Sequence, residues 1–262
     1  MGDLAAYRAV LGARLRSQLM YRTSFGLDVF GSLMVATTDF GEIYVIFHNV
    51  PTLGDLDLPA AMLVFGLASI GFATANMVCG ELDTIPQFIR AGTLEVMLLR
   101  PLPLLAQLIT GDVRLKRIGG AVVGLVTLTL GLVRADIRWT PQAVALVAVT
   151  PLVGAALFVA AGALQFWLVD SPEVTNSFTY GSAYASHYSS AVMPLPVRLL
   201  FAFVVPAAFT AYLPTLALLG RPGPAWLPGW LGWCSPLVAV LAWAAALLLW
   251  RAGVRRYTGA GG

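Results

Sequence analysis

Residues 59 to 80 read PAAMLVFGLASIGFATANMVCG, a stretch without a single charged side chain. As an α-helix it measures roughly 33 Å, and a helix of about 20 apolar residues is enough to cross the hydrocarbon core of a bilayer. Working outward from it, comparable runs occupy approximately 24 to 48, 118 to 133, 140 to 169, 197 to 219 and 234 to 250. The sequence therefore predicts an all-α membrane protein with six transmembrane helices, the third short and the fourth long. The composition agrees: of 262 residues 58% are apolar and only 11% charged, against about 25% charged in a soluble domain. At this length one domain over residues 1–262 is expected.

Basic side chains orient such a chain, because cytoplasmic loops near the membrane hold the excess of Lys and Arg. With both termini in the cytoplasm, Arg8, Arg14, Arg16, Arg22, Arg90, Arg100, Arg114, Lys116, Arg117, Arg198, Arg251, Arg255 and Arg256 fall inside, and Arg134, Arg138 and Arg221 fall outside. Trp139, Trp226, Trp230 and Trp233 then gather at the outer interface, with Trp167, Trp250 and Tyr257 at the inner one. The net charge of +3 is spread between apolar runs rather than gathered on one face, so the basic residues read as topology signals and not as a nucleic-acid surface. The partner they imply is the lipid bilayer. The preference for Arg over Lys points to a GC-rich bacterial genome, and hence to a multi-pass protein of the bacterial cytoplasmic (inner) membrane.

The first 22 residues hold no uninterrupted apolar stretch and do not read as a cleaved signal peptide. Leu4, Tyr7, Leu11 and Leu15 recur at helical spacing, which predicts an amphipathic helix over residues 1–23 on the inner surface, a frayed tail being the alternative. Cys79 and Cys234 fall near opposite membrane faces, roughly 30 Å apart. That is too far for an internal disulfide.

Much chemistry is missing. A phosphate-cradling Walker loop needs a Gly-rich turn followed by Lys and Ser or Thr, and the single lysine, Lys116, sits in VRLKRIGG. His48 and His187 have no paired ligand at zinc spacing. No G-x-S-x-G nucleophile elbow occurs, and GSAYASHYSS, residues 181–190, reads better as an interfacial segment than as a catalytic loop.

The longest polar interruption is the predicted inner loop 81–117. Within it Glu95 to Leu99 can form a short helix ending before Pro101, with Leu94, Met97 and Leu98 on one apolar face, suited to a partner's groove or to lying on lipid as a plain connector. Here the chain resembles a known family. GTLEVMLLRP, residues 92–101, is similar to the Gly, Leu-Glu/Asp, Leu, Arg/Pro signature of ABC-2 type transporter permeases, in particular the six-span branch once labelled a family of unknown function. A second match runs from Pro194 and Arg198 through FAFVVPAAFTAYLPTLALLGR, with Pro206, Ala207, Phe209, Tyr212, Pro214 and Leu219. The resemblance implies one ABC-2 type (type V exporter-like) permease domain and a subunit of an ATP-driven exporter. It would pair with a second permease chain, identical or a sister, and with two copies of a separate cytoplasmic ABC ATPase. ATP and Mg would bind that ATPase and no cofactor this chain, so the chain is no enzyme by itself. The resemblance further assigns coupling to the ATPase to Gly92, Leu94, Glu95, Leu98, Arg100 and Pro101, and an outer re-entrant or loop segment to residues 214–236. The competing readings are a stand-alone secondary carrier, for which no internal repeat is visible, and an intramembrane enzyme, for which no catalytic constellation is.

An ionisable side chain in the hydrocarbon region usually faces a bundle interior or a water-filled path. The first span holds Asp28, Asp39 and Glu42, which with Ser32 fall within a sector of roughly 60° and extend about 21 Å along the helix. They read as a polar lining for a substrate path suited to a cationic or amphipathic solute. Alternatively only Asp39 is deep, paired with a sister subunit's Arg. Pro206 and Pro214 in the fifth span predict a helix break or outer gate that includes Phe209. Pro151, Gly154 and Gly162 in the fourth allow either a bend or close helix packing.

Overall fold

A computed structural model describes residues 12, 16–18, 20–168, 172–187, 194–201, 205–224 and 227–257. The amphipathic helix expected at 1–23 falls largely outside them. Among the described residues eleven α-helices follow in chain order: α1 Arg22–Asn49, α2 Leu58–Cys79, α3 Ile85–Arg90, α4 Thr93–Leu98, α5 Leu104–Gly111, α6 Ile118–Arg134, α7 Pro141–Leu164, α8 Pro172–Ser186, α9 Leu195–Leu199, α10 Tyr212–Leu219 and α11 Ser235–Arg256. Tight 3₁₀ turns at Gly80–Thr84, Leu115–Arg117, Ala207–Phe209 and Gly229–Cys234 join some of them.

Among the described residues five helical segments are long and apolar enough to cross a membrane: Arg22–Asn49, Leu58–Arg90, Leu115–Arg134, Pro141–Leu164 and Gly229–Arg256. They coincide with five of the six expected spans. Their starts are written locally. Asp57 accepts the Ala60 N–H at 3.2 Å with Pro59 in the first turn of α2, and Thr140 accepts the Ala143 N–H at 3.2 Å with Pro141 opening α7.

The span expected at 197–219 is not one helix. It divides into α9, a non-helical stretch at Val205 and Pro206, the 3₁₀ turn Ala207–Phe209 and α10. Proline contributes no N–H and its ring collides with the preceding turn, so the chain leaves the helix before Pro206. Pro214 does not break α10, contrary to expectation. It lies in that helix's first turn, where a missing N–H costs nothing. The fourth span ends earlier than expected, turning at Gln165–Trp167. α8 instead runs from the end of the bundle that holds Gln165, whose amide donates to Thr175 at 3.0 Å, to the opposite end, where Ser186 Oγ reaches the Ala207 carbonyl at 3.5 Å.

The central element is α2, packed between α6 and α7, with α11 against α7 and α1 against α6. Glycine permits the closest approach: a Cβ on Gly66 would stand 2.7 Å from Leu128 N, and one on Gly124 would stand 2.9 Å from Ile70 N. In α7, Gly154 faces Ala75 and Gly162 faces Leu82, so these glycines serve packing. Two apolar cores result. One, around Leu63, Leu67, Leu132, Tyr212 and Leu216, lies at the Asp57 end, and the other, around Leu82, Leu94, Leu108, Phe158, Phe166 and Trp250, at the Gln165 end. Leu27, Phe30 and Val45 of α1 and Leu237, Val240 and Leu241 of α11 stay uncovered in the protomer, as a hydrocarbon surround permits.

Candidate functional site

The polar stripe of α1 faces a cleft of about 310 Å³. Asp28, Ser32 and Asp39 line it, opposite Ser69 and Phe72 of α2. Glycine brings the walls together here too, since a Cβ on Gly119 would stand 2.1 Å from Ser32 Oγ and 2.8 Å from Leu33 N. Ser32 Oγ donates to the Val29 carbonyl at 3.0 Å. Glu42, the fourth residue of the stripe, is not in the wall; it accepts the Tyr184 hydroxyl at 3.2 Å. Three residues with titratable side chains join the site without having been singled out for it. Lys116 and Arg117 come from the 3₁₀ turn before α6, and His187 from the end of α8, its ring 4.8 Å from Phe65. Lys116 and Arg117 read as topology charges and His187 as an isolated histidine, and only the helix packing brings them to α1.

A second cleft, of about 400 Å³, opens at the Gln165 end and is lined by Gln18, Tyr21, Phe25, Asp28, Asp112, Arg114 and Lys116. Gln18 ties its rim together, donating to Asp112 Oδ1 at 3.0 Å and to the Val113 carbonyl at 2.6 Å.

Arg114 also closes the base of the loop 81–117. Its guanidinium lies 3.4 Å from Glu81 and 3.9 Å from Asp83. Tyr180 of α8 donates to Asp83 at 3.0 Å and accepts from the Asn76 amide at 3.0 Å. Above this base, Gly92 enters α4 at φ +65°, a conformation glycine adopts without penalty. Leu94 then anchors the helix in the core beside Leu104, Leu108 and Trp250. Gln107 donates to the carbonyls of Met97 and Leu102, both at 2.9 Å, and holds the helix exit. The expected apolar face is split by this seating: Leu94 is buried and Met97 half-buried, whereas Leu98 is exposed along with Glu95, Arg100 and Pro101. Val96 at 55% and Leu99 at 86% exposure add the outward apolar surface. Burial and the nearby Glu95 carboxylate raise the Tyr257 phenol above its usual value, as expected where α4 lies close to the end of α11.

At the opposite end the segment expected at 214–236 forms a short helical hairpin. A Cβ on Gly232 would stand 2.1 Å from the Leu213 carbonyl, so the Gly229–Cys234 turn packs hard on α10. Tyr212 donates to Asp55, and Arg221 reaches the Asp55 carbonyl at 3.0 Å and Asp57 at 2.8 Å. Burial works to raise the Asp57 carboxyl, but the Arg221 guanidinium and the Ala60 N–H outweigh it and hold the group below its ordinary value. Phe209 is buried in the core beneath the hairpin, and Pro206 precedes the 3₁₀ turn that leads into it.

A family profile described as "ABC-2 family transporter protein" matches residues 33–261. No curated protein matches the chain. The match spans most of the sequence, so the chain belongs to the ABC-2 family of transporter proteins and is a multi-pass membrane transport component.

Proposed function

We propose that this ABC-2 family chain is the permease subunit of an ATP-driven exporter in a bacterial cytoplasmic membrane, with both termini in the cytoplasm. It would work as a dimer, identical or with a sister permease, seated on two ABC ATPase subunits. The observation that carries the reading is α4, whose buried Leu94 supports an exposed rim of Val96, Leu98, Leu99 and Arg100. A soluble partner suits such a rim better than lipid does, because Glu95, Arg100 and Pro101 are exposed around it. ATP and Mg on the partner would supply the free energy. This chain's part is mechanical. Closure of the ATPase pair on α4 would rock each permease half, and the cleft beside α1 would face alternately inward and outward. The substrate would be a drug, antibiotic or lipophilic cation, received through the Asp28 and Asp39 carboxylates of the cleft wall.

Affinity purification from the native membrane in mild detergent, followed by mass spectrometry, tests the assembly. Recovery of an ABC ATPase is expected, and a second six-span chain beside it would make the permease heteromeric. Repeated recovery of the chain alone, with no ATP-dependent transport, would overturn the reading in favour of a stand-alone carrier.

A further inference from the structure

We propose that the two clefts form one amphiphile site whose polar half takes a zwitterionic headgroup; this rests on the permease reading and replaces a simple cation with an amphiphile that carries both charges. The clefts share Asp28 and Lys116. On one side of that junction Val35, Ala36, Phe72 and Ala73 form an apolar strip, flanked by Ser32, Ser69, Arg117 and His187. On the other side the wall is polar, and its groups already hold each other: Arg114 is engaged by Glu81 and Asp83, and Asp112 by Gln18. Asp28 and Lys116 differ from these, because neither forms an ion pair with a described residue. Two opposite charges, each without an ionic partner among the described residues, therefore stand where the two clefts meet.

A ligand with an ammonium and an anionic group on one headgroup satisfies both charges at once. Both side chains are exposed, so a ligand of one sign pairs with one and forgoes the second charge-assisted contact, and that difference sets the preference between ligands. The groove beyond runs roughly 16 Å along α1 from Asp28 to Asp39. That length suits an alkyl tail, and the Asp39 carboxylate limits how far the tail can enter. The site opens at the Gln165 end of the bundle, where the basic residues also gather, so an amphiphile would reach it from the leaflet on that side.

Native mass spectrometry of the full-length chain, purified in a maltoside detergent with whatever ATPase accompanies it, reads the preference directly. The probes are hexadecylphosphocholine, hexadecyltrimethylammonium and hexadecyl phosphate, with lysophosphatidylcholine as a true lipid. Hexadecylphosphocholine should bind roughly tenfold more tightly than either single-sign probe. Asp28→Asn should abolish its advantage over hexadecyl phosphate, and Lys116→Gln its advantage over the ammonium. If lysophosphatidylcholine exceeds hexadecylphosphocholine, the ligand is a lipid recognised through its glycerol as well, whereas parity assigns recognition to the headgroup charges. Equal binding of all three hexadecyl probes, a cationic probe binding tightest, or a preference that survives both substitutions would overturn the proposal. A chain that recovers its ATPase but shows no charge preference sinks this inference alone. One that keeps the preference without any ATPase sinks the exporter reading alone.

Discussion

Leu94 and Leu99 belong to one short stretch and carry the same side chain, yet the first is wholly buried and the second 86% exposed. Their substitutions should separate folding from coupling. Leu94→Ala leaves a cavity under α4 and should cost about 2–5 kcal/mol, read as a lowered melting temperature in detergent. Leu99→Ala should leave melting unchanged and instead reduce substrate-stimulated ATPase activity, as should replacement of Glu95 and Arg100. Full coupling in these surface variants would remove α4 from the ATPase contact. The sequence showed where this helix lies but not which side it buries, since Leu94, Met97 and Leu98 share a face by spacing alone and only the core of α5, α7 and α11 divides them. A second residue-scale prediction concerns Asp57. Its carboxyl is held below the ordinary value, so the stability contributed by the Arg221 pair is present above the unfolded value of about 3.9 and lost as pH falls through the lower folded one. Emission from Trp230 and Trp233 in the hairpin should stay constant from neutral pH down to about 5 and shift only below about 4. Asp57→Asn should show the shifted emission already at neutral pH.

Among the elements, α8 is a helix that no apolar run in the sequence announces. Its 15 residues include Glu173, Thr175, Asn176, Ser177, Thr179, Ser182 and Ser186, and an apolar-length criterion passes over such a segment. Four of those polar side chains are buried and satisfied inside the bundle, whereas Glu173 and Ser177 are exposed and Asn176 Oδ1 has no partner among the described residues. Thr179, Ser182 and Ser186 donate to carbonyls of their own helix, and Thr175 accepts from Gln165. The apolar signal downstream at 197–219 belongs instead to α9 and the hairpin, where Pro206 forbids a continuous helix. The remaining spans were legible because their lengths and capping residues are local properties. Contact between α2 and α6 is a different kind of property, written in glycines that meet only after folding. Gly66→Leu would place its side chain against the Leu128 backbone and the Gly124 carbonyl, 2.8 Å from an added Cβ. It should cost several kcal/mol, on the order of the larger overpacking penalties, whereas Gly26→Leu in α1, with open space around its Cβ, should be neutral to within about 0.5 kcal/mol. Comparison of the two melting curves checks this.

At the scale of the whole molecule, the base of the loop 81–117 and the cleft are joined by one helix. Tyr180 ties α8 to Asp83 and Asn76 beside Arg114, while Tyr184 and His187, a turn or two further on, meet Glu42 and Phe65 beside α1. A displacement of the loop base therefore reaches the cleft wall through packed side chains rather than through solvent. Charge and linkage can be separated by substitution at the two ends. Asp39→Asn keeps the shape of the cleft and removes a charge, so transport of cationic solutes should fall more than that of neutral ones, with ATPase activity retained. Tyr180→Phe leaves the cleft untouched and deletes a single hydroxyl between Asp83 and Asn76. If α8 carries the coupling, transport of every solute should fall by the same factor, about fivefold or more for a coupling energy of roughly 1 kcal/mol or above, while basal ATP hydrolysis continues. Transport per ATP, measured in proteoliposomes, is the quantity to follow. A fall in transport and hydrolysis together, with a lower melting temperature, would make the Tyr180 hydroxyl a structural bond only, and the motion would then have to pass through α2.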